Sequence, residues 1–389
     1  MNIRTLEFKN KSDGWEIQKM SFQQLNLLVG ASGVGKTQIL QAIHTLKRFA
    51  DGESFSGIQW NIEFTTKDGD EYRWEGEFED NKFLLEYYNR DVNRPSSRIL
   101  NEKIEKDKTI IAERTQEGIT FNSLPTIKLP SEISLINMLK EEELIKPLYE
   151  HIQKIVLPDE ILDYNMKAKR GIIAFDDIVD YNIASFDAVQ SSSMSNQFKL
   201  YITYHIFNDV FQTIKQRFCE IFPEIEDIKI DRIKDHELNT PREFQDKVFI
   251  HIKHHNVEQW IPSVSMSSGM FRTFQLLYEI YLCADGSIIL IDEFENSLGI
   301  NCIRDITDEI LSTDRNIQCI ITSHHPFIIN NIEFQYWKLL TRNGGKIKAH
   351  DITEYLSGKS HHENFMQLIQ LEEYKTGLEE YQTGLEEVL

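Results

Sequence analysis

Hydrophobic positions along the chain fall into two regimes. Leu25-Asn26-Leu27-Leu28-Val29, Ser287-Ile288-Ile289-Leu290-Ile291 and Cys319-Ile320-Ile321-Thr322-Ser323 are short, nearly continuous apolar runs, the pattern of strands buried on both faces. Elsewhere apolar and polar residues alternate. Ile3 to Phe8, Ile58 to Phe64, Tyr72 to Phe78, Phe83 to Tyr88 and Thr109 to Glu113 read as half-buried strands. Turns such as Lys67-Asp68-Gly69-Asp70 and Glu79-Asp80-Asn81 separate them, which predicts an antiparallel meander. A polar turn at Asn10 to Gly14 is expected to lead directly into the strand at 25–29, and Arg90 to Arg98 reads as a loop.

Helical spacing appears in four places, the last of them, Phe271 to Tyr281, taken up with the motif that precedes it. Ile39, Leu40, Ile43 and Leu46 mark a helix over 38–49. From Pro130 to Pro158, Ile133, Leu135, Ile136, Leu139, Leu144, Leu148, Ile152 and Val156 predict a mostly helical segment. Asn196 to Phe222 carries a single apolar stripe, the pattern of one amphipathic helix on a core. Lys167 to Ser195 is rich in Ser, Asp and Asn and reads as irregular, with a mobile loop at Ser191-Ser192-Ser193. Strands return at Ile225 to Ile233, Val248 to His254, Gln259 to Val264, Tyr336 to Thr341 and Lys346 to His350, the last two joined by an Asn343-Gly344-Gly345 turn. The chain closes on a tandem heptapeptide, Tyr374 to Glu380 and Tyr381 to Glu387. A glycine in each copy weakens it as a helix, so a frayed acidic tail is expected rather than a docking segment.

Composition narrows the class. With 389 residues, 41% hydrophobic and 27% charged, this is a folded protein with room for one large domain or two to three ordinary ones. No apolar run approaches a membrane span, and the start alternates like a strand instead of carrying a secretory h-region, so a cytoplasmic setting and no membrane partner are expected. Net charge is −20, from 42 basic and 62 acidic residues, which argues against a broad grip on a nucleic-acid backbone. Direct DNA binding through a local patch stays open. Cys219, Cys283, Cys302 and Cys319 lack metal-site spacing and read as buried free thiols.

The chemistry begins at Gly30-Ala31-Ser32-Gly33-Val34-Gly35-Lys36-Thr37, followed by Gln38. This fits G-x-x-x-x-G-K-[ST] between a buried strand and a helix, the setting that the phosphate-binding loop requires. Glycines let backbone N–H groups curl around phosphates, and the helix N-terminus adds partial positive charge. Lys36 would reach the β and γ phosphates, and Thr37 would offer its hydroxyl to Mg²⁺. A second constellation closes the strand at 287–291 with Asp292 and Glu293. Asp292 fits a Mg²⁺-holding carboxylate, and Glu293 fits a base that orients the attacking water. Thr37 and Asp292 are 255 residues apart, so a large insertion separates the two halves. Ser267-Ser268-Gly269 precedes a helix bearing Phe271, Phe274, Leu277, Tyr278 and Tyr281 and serves either as a plain N-cap or as an anion contact. His324 follows the strand at 319–323, as a turn residue or a contact to a γ phosphate.

In this order, phosphate loop, Ser-x-Gly, apolar-Asp-Glu and strand-Thr-Ser-His, the motifs resemble ABC-type ATPase heads of the SMC/RecF/OLD kind. The resemblance extends most closely to the compact AAA-15 and AAA-21 ATPases, and it covers Met1 to about Asn89 and about Ile225 to His350. It implies an α/β fold, a P-loop ABC-ATPase head with an antiparallel β-subdomain and a helical insertion. The lobes would be 1–129 and 225–355, the insertion 130–224 and an acidic tail 356–389. It also implies ATP and Mg²⁺ as cofactors and two heads sandwiching two ATPs, as a homodimer or higher even oligomer. Ser267, Ser268 and Gly269 would then face the γ phosphate held by the partner's Lys36 loop. His324 would be the switch histidine, Glu293 the catalytic base, and 295–298 the dimer seam. Four positions depart from the family pattern: Ser32 for Asn, Met270 for Gln or Glu, Phe294 for Pro, and Gly299 for His or Asp. None removes a catalytic group, so hydrolysis is expected and can be slow. The Q-loop glutamine is not placed by the sequence; Gln59 is one candidate.

Three functions compete. The small ATPases of Septu-, PARIS- and retron-like bacterial defence systems resemble this chain and pair with an effector. Because no HNH or Toprim signature is visible here, a separately encoded nuclease or toxin would be needed. A RecF-like repair ATPase is the alternative, weighed against by the acidic charge. An ABC transporter subunit is disfavoured by the long insertion and the Ser-Ser-Gly-Met signature.

Overall fold

The computed structural model describes residues 2–66, 69–81, 97–157, 172–173, 183–192, 194–232, 248–296, 298–312, 316–358 and 360–378. The chain folds into two compact units. The first comprises Met1–Leu157, Gly286–Phe294 and Arg315–Leu389, and the second Pro158–Asp285 and Glu295–Asp314.

One sheet organises the first unit. Among the described residues it has fourteen strands. Ile155–Val156, Ile288–Ile291, Gln318–Thr322, Leu25–Val29 and Trp337–Asn343 lie side by side and are mutually parallel. Every residue of the three central strands is buried, as expected where both faces of a parallel sheet are covered. Beyond Trp337–Asn343 the sheet continues through Lys346–Asp351, Trp15–Ser21 and Asn2–Asn10. It then becomes an antiparallel meander: Ile58–Thr65, Glu71–Phe78, Ile99–Lys106, Thr109–Arg114, Ile119–Phe121 and Leu124–Pro125. Helix Lys36–Ala50 buries Ile39, Leu40, Ile43, Leu46 and Phe49. Phe49 packs its ring 5.0 Å from those of both Trp60 and Phe78, joining the helix to the meander's apolar face. The mixed α/β architecture read from the motifs is the one observed.

Several elements differ from the sequence reading. The turn at 10–14 does not lead straight to the strand at 25–29, because Trp15–Ser21 intervenes and pairs with Asn2–Asn10. Its buried residues, Ile17 and Met20, are three apart, and a register shift between Leu6 and Phe8 breaks the alternation on the partner. Ile99–Lys106 is a strand whose inward positions include a buried Glu102. The segment expected to be mostly helical holds only the short helices Leu135–Met138 and Lys146–Ile152. It then contributes the edge strand Ile155–Val156. In the tail, Glu372–Thr376 forms a short helix that Gly377 ends in the left-handed conformation, φ 73°, so this glycine caps a helix instead of dissolving it. The strand expected at 83–88, residues 90–96 of the loop expected at 90–98 and the second heptapeptide copy lie outside the described residues.

The second unit pairs Val248–His254 with Ile225–Arg232, Ile172–Ile173 and Trp260–Pro262, all antiparallel. Its described helices are Phe186–Ser191, Asn196–Ile206, Asn208–Ile221, Ser268–Leu282 and Ile300–Ser312. The stripe expected as one helix over 196–222 is two, broken at Phe207, where ψ of 55° leaves the helical region. Residues expected to be irregular include a helix capped by the Ser185 side chain, with Ser191 as its last residue. Phe218 and Phe274 pack edge to face at 5.2 Å in this unit's core. All four cysteines are free; Cys283, Cys302 and Cys319 are buried, while Cys219 is half-buried, against the expectation for that residue. Among the described residues no helix is long and apolar enough to cross a membrane.

Candidate nucleotide site

The site lies where the parallel strands end. Leu25–Val29 runs into Gly30, whose φ of 143° and tight surroundings exclude a side chain: a Cβ would stand 2.7 Å from the carbonyl oxygen of Leu340. Gly35 is the N-cap of helix Lys36–Ala50, with φ 107° and no side-chain cap. A helix start leaves its first N–H groups without intrahelical partners, the feature by which helix N-termini attract anions, and Gly35 as N-cap brings no side chain to this one. Lys36 Nζ folds back on the loop and donates to the carbonyls of Gly30 at 2.8 Å and Ala31 at 3.0 Å. Ser32, Gly33 and Thr37 are exposed, whereas Val34 is buried and anchors the loop.

Across the sheet edge, Asp292 accepts hydrogen bonds on both carboxylate oxygens. Thr37 Oγ1 donates to Oδ2 at 2.8 Å, and Thr322 Oγ1 donates to Oδ1 at 2.5 Å. The first of these joins the two halves of the motif set over 255 residues of sequence. Thr322 also accepts the Glu293 N–H at 2.8 Å, and its carbonyl accepts the Phe294 N–H at 3.0 Å. These bonds hold Glu293 with φ 44°, a left-handed conformation costly for a side-chain-bearing residue and concentrated at functional sites. Phe294, at the position where the family pattern has proline, is fully buried. The Glu293 side chain is exposed. His324, also exposed, follows Thr322 by two residues.

The donor set fits Mg²⁺. This ion takes oxygen ligands and commonly keeps one or two carboxylates together with substrate phosphates and water. Thr37 and Asp292 supply one hydroxyl and one carboxylate, already turned toward each other. Among the described residues no group of three or more His, Cys, Asp and Glu offers a metal cage, so a metal here would depend on the phosphates.

The other expected residues are placed as follows. Ser267 caps helix Ser268–Leu282, accepting the Met270 N–H at 3.2 Å, and Ser268 and Gly269 are the first helical residues. They belong to the second unit. Gln59 is inside strand Ile58–Thr65, opposite Lys9 and Glu77, and so does not sit in a loop. Gln38 accepts from Arg342 at 3.0 Å. Two roles escaped the sequence reading. Thr322 stood there only as the threonine of strand-Thr-Ser-His, with no task assigned, and Arg342 fell just past the strand expected at Tyr336 to Thr341, with no motif around it.

A family model, AAA_21, described as "AAA domain, putative AbiEii toxin, Type IV TA system", matches residues 25–330. The chain belongs to the AAA_21 family. Membership carries the coarse assignment, an ATPase of the AAA type. Among solved structures, the SMC head bound to the C-winged helix domain of ScpA aligns with a TM-score of 0.50 and 14% identity, over 90% of this chain and 97% of that one. The SMC head domain from Thermotoga maritima aligns over 90% and 99%, with 10% identity and a TM-score of 0.41. At this identity the likeness to the ScpA-bound head describes the fold, the ABC-type ATPase head. No curated protein matches the chain.

Proposed function

We propose that this AAA_21 protein binds ATP with Mg²⁺ at Gly30–Thr37, hydrolyses it, and acts as a switch that pairs two heads around two ATPs. The hydrogen bond from Thr37 to Asp292 carries the reading, because it joins the loop that would hold phosphate to the carboxylate that would hold the metal. Bound Mg²⁺ would supply charge neutralisation for the phosphates. Lys36 would leave the Gly30 and Ala31 carbonyls for the β and γ phosphates, and Gln38 would follow Thr37 at the loop's helical end. Glu293, exposed and fixed through its backbone by Thr322, is suited to orient the attacking water as general base. His324 would contact the γ phosphate. Ser267, Ser268 and Gly269 would present a helix N-terminus to the γ phosphate bound by a second copy, which couples ATP binding to dimerisation.

In this reading the dimer controls a separately encoded nuclease or toxin in bacterial anti-phage defence. The family's description, which names a toxin of a toxin–antitoxin system, supports that direction. The SMC-head fold favours the second reading, a RecF/SMC-like DNA repair ATPase, while the net charge of −20 weighs against it.

Lys36→Ala is expected to abolish nucleotide binding, measured by equilibrium binding of a fluorescent ATP analogue. Glu293→Gln is expected to bind ATP normally and to accumulate an ATP-dependent dimer in light scattering. Hydrolysis by Glu293→Gln at the unaltered rate overturns the base assignment. Salt-dependent DNA binding separates the two roles, since tight binding at physiological salt favours repair.

A further inference from the structure

The phosphate loop is touched on its inner side by residues that none of its motifs includes. Arg342, near the end of strand Trp337–Asn343, donates from Nη1 to Gln38 Oε1 at 3.0 Å and to the Gly33 carbonyl at 3.3 Å. Its backbone N–H donates at 2.7 Å to the carbonyl of Gly377. Gly377 closes the short helix Glu372–Thr376, its own N–H bonded to the Glu373 carbonyl at 2.9 Å. It also lies directly against the loop. A Cβ added at Gly377 would collide with Val34 Cγ1 and come within 3.3 Å of Ala31 Cβ, and its φ of 73° already disfavours any side chain. Loop residues 31, 33, 34 and 38 are thus held by one arginine and one C-terminal glycine.

The sequence supplies a second observation. Taken from Leu371, the docked unit reads Leu-Glu-Glu-Tyr-Lys-Thr-Gly, and the next seven residues, Leu378 to Gly384, read Leu-Glu-Glu-Tyr-Gln-Thr-Gly. The two differ only at Lys375 and Gln382. Lys375 is half exposed and pairs with the equally exposed Glu372, a surface pair that contributes little. The residue types of the docked unit, its final glycine included, therefore recur in the next seven positions of the sequence.

We propose that the Leu371–Gly377 unit, together with Arg342, is a positioning element of the nucleotide site, and that its duplicate can take its place. The inference rests on the nucleotide reading above. Holding Ala31 and Val34 raises the fraction of molecules whose loop is ready for phosphate, and apparent affinity scales with that fraction. Saturating nucleotide re-imposes the loop, so the effect falls on KM and spares kcat.

The test uses the full chain, Gly377→Val/Gly384→Val, and a chain from which residues 371–377 are excised so that 378–384 follow Gln370. For the double variant we expect KM for ATP and Kd for a fluorescent ATP analogue to rise at least about fivefold, with kcat within about twofold. The excised chain recovers affinity to within about twofold, because a complete unit again follows Gln370. If the valine pair does not fold, Gly377→Ala/Gly384→Ala adds one methyl to each glycine and gives the same ordering. Hydrogen exchange of peptides covering 30–37, without nucleotide, is expected to quicken in the double variant and to slow again on excision. Unchanged affinity in a folded double variant, or no recovery on excision, overturns the proposal. If the unaltered chain binds no nucleotide, the site reading falls by itself. The exchange comparison then decides the positioning role: quickening upholds it and unchanged rates overturn it.

Discussion

The Thr322 hydroxyl bonds both the Asp292 carboxylate and the Glu293 N–H, and Thr322→Val isolates those two bonds. Valine keeps the volume and the β-branched shape that a strand accommodates, so the backbone of Gln318–Thr322 should not move. The hydroxyl alone is lost. With it goes the 2.5 Å bond to Asp292 and the acceptor of the Glu293 N–H. A hydrogen bond to a charged group contributes about 1.5–3 kcal/mol, and a buried N–H left unpaired costs about 1–3 kcal/mol, an upper bound for the part-buried N–H of Glu293. Asp292 keeps its Thr37 bond and is only half-buried, so water recovers part of the first loss. Together these leave an expected destabilisation of about 2–4 kcal/mol. Removing a group that orients a metal ligand weakens metal affinity about 10–100-fold, or about 1.4–2.8 kcal/mol. Urea unfolding without nucleotide reads the first number, and the Mg²⁺ concentration for half-maximal ATP hydrolysis reads the second. Thr322→Ser, which restores the hydroxyl, should recover the Mg²⁺ dependence and not all of the stability. A serine variant as impaired in Mg²⁺ use as the valine variant, or a valine variant with unaltered Mg²⁺ dependence, would refute the orienting role.

Two further predictions concern each unit's internal chemistry. Glu102 is buried and accepts from Trp74 Nε1 at 3.0 Å, Ser134 Oγ at 2.6 Å and the Leu135 N–H at 2.8 Å. Glu102→Leu strands these donors and should cost about 3–5 kcal/mol in urea unfolding; a loss below about 1 kcal/mol would show that water replaces the carboxylate. In the second unit, burial and then the Glu309 carboxylate push the Tyr281 phenol up to about 12, and its O–H donates to Glu309 at 2.6 Å. A pKa raised above the unfolded value of about 10 gives stability that is complete below about pH 10 and is lost as pH rises toward 12. Tyr281→Phe should flatten that alkaline decline in urea midpoints, and an unchanged slope would remove the phenol from the account.

What the sequence revealed and what it concealed follow from how far each residue's neighbours lie along the chain. The central parallel strands were legible because burial on both faces leaves an unbroken apolar run, as in Ile288–Ile291. The loop Gly30–Thr37 was legible because Gly30 and Gly35 adopt conformations that side chains avoid, and such needs leave glycines at fixed spacing. Trp15–Ser21 was not, because its buried Ile17 and Met20 break the two-residue period next to an irregular pairing. Ile99–Lys106 hid behind Glu102, a carboxylate that occupies a core position only because donors from Trp74 and 134–135 meet it there. Ile155–Val156, two residues long, is a strand solely by virtue of its parallel neighbour at Ile288–Ile289. Gly377 was misjudged for a different reason. Propensity counts a glycine against a helix, whereas at the position after the last turn the same freedom caps it.

Register explains why Thr322, among the polar residues near the strand end, reaches Asp292. Ile291 pairs with Ile321, and Ile321 with Leu27, so these residues form one row across three strands. The next row pairs Thr322 with Leu28 and brings Asp292 level with Thr322. Side chains alternate between faces along a strand, and a slip of one residue would send Ile321 or Ser323 to the Asp292 level with the opposite orientation. Such a slip would also turn the buried set of Gln318–Thr322 over, which the covered faces of the sheet resist. Buried Gln318 adds a second lock: its side chain accepts from the Ile3 N–H at 2.8 Å and donates to the carbonyls of Ile3 at 3.0 Å and Gln23 at 2.7 Å. The packing that stabilises the sheet therefore also selects which hydroxyl meets the carboxylate. Thr37 then completes the pair because its helix starts from the neighbouring parallel strand, at the same edge. A site assembled over 255 residues needs no local signal beyond its motifs, provided that three strands keep one register.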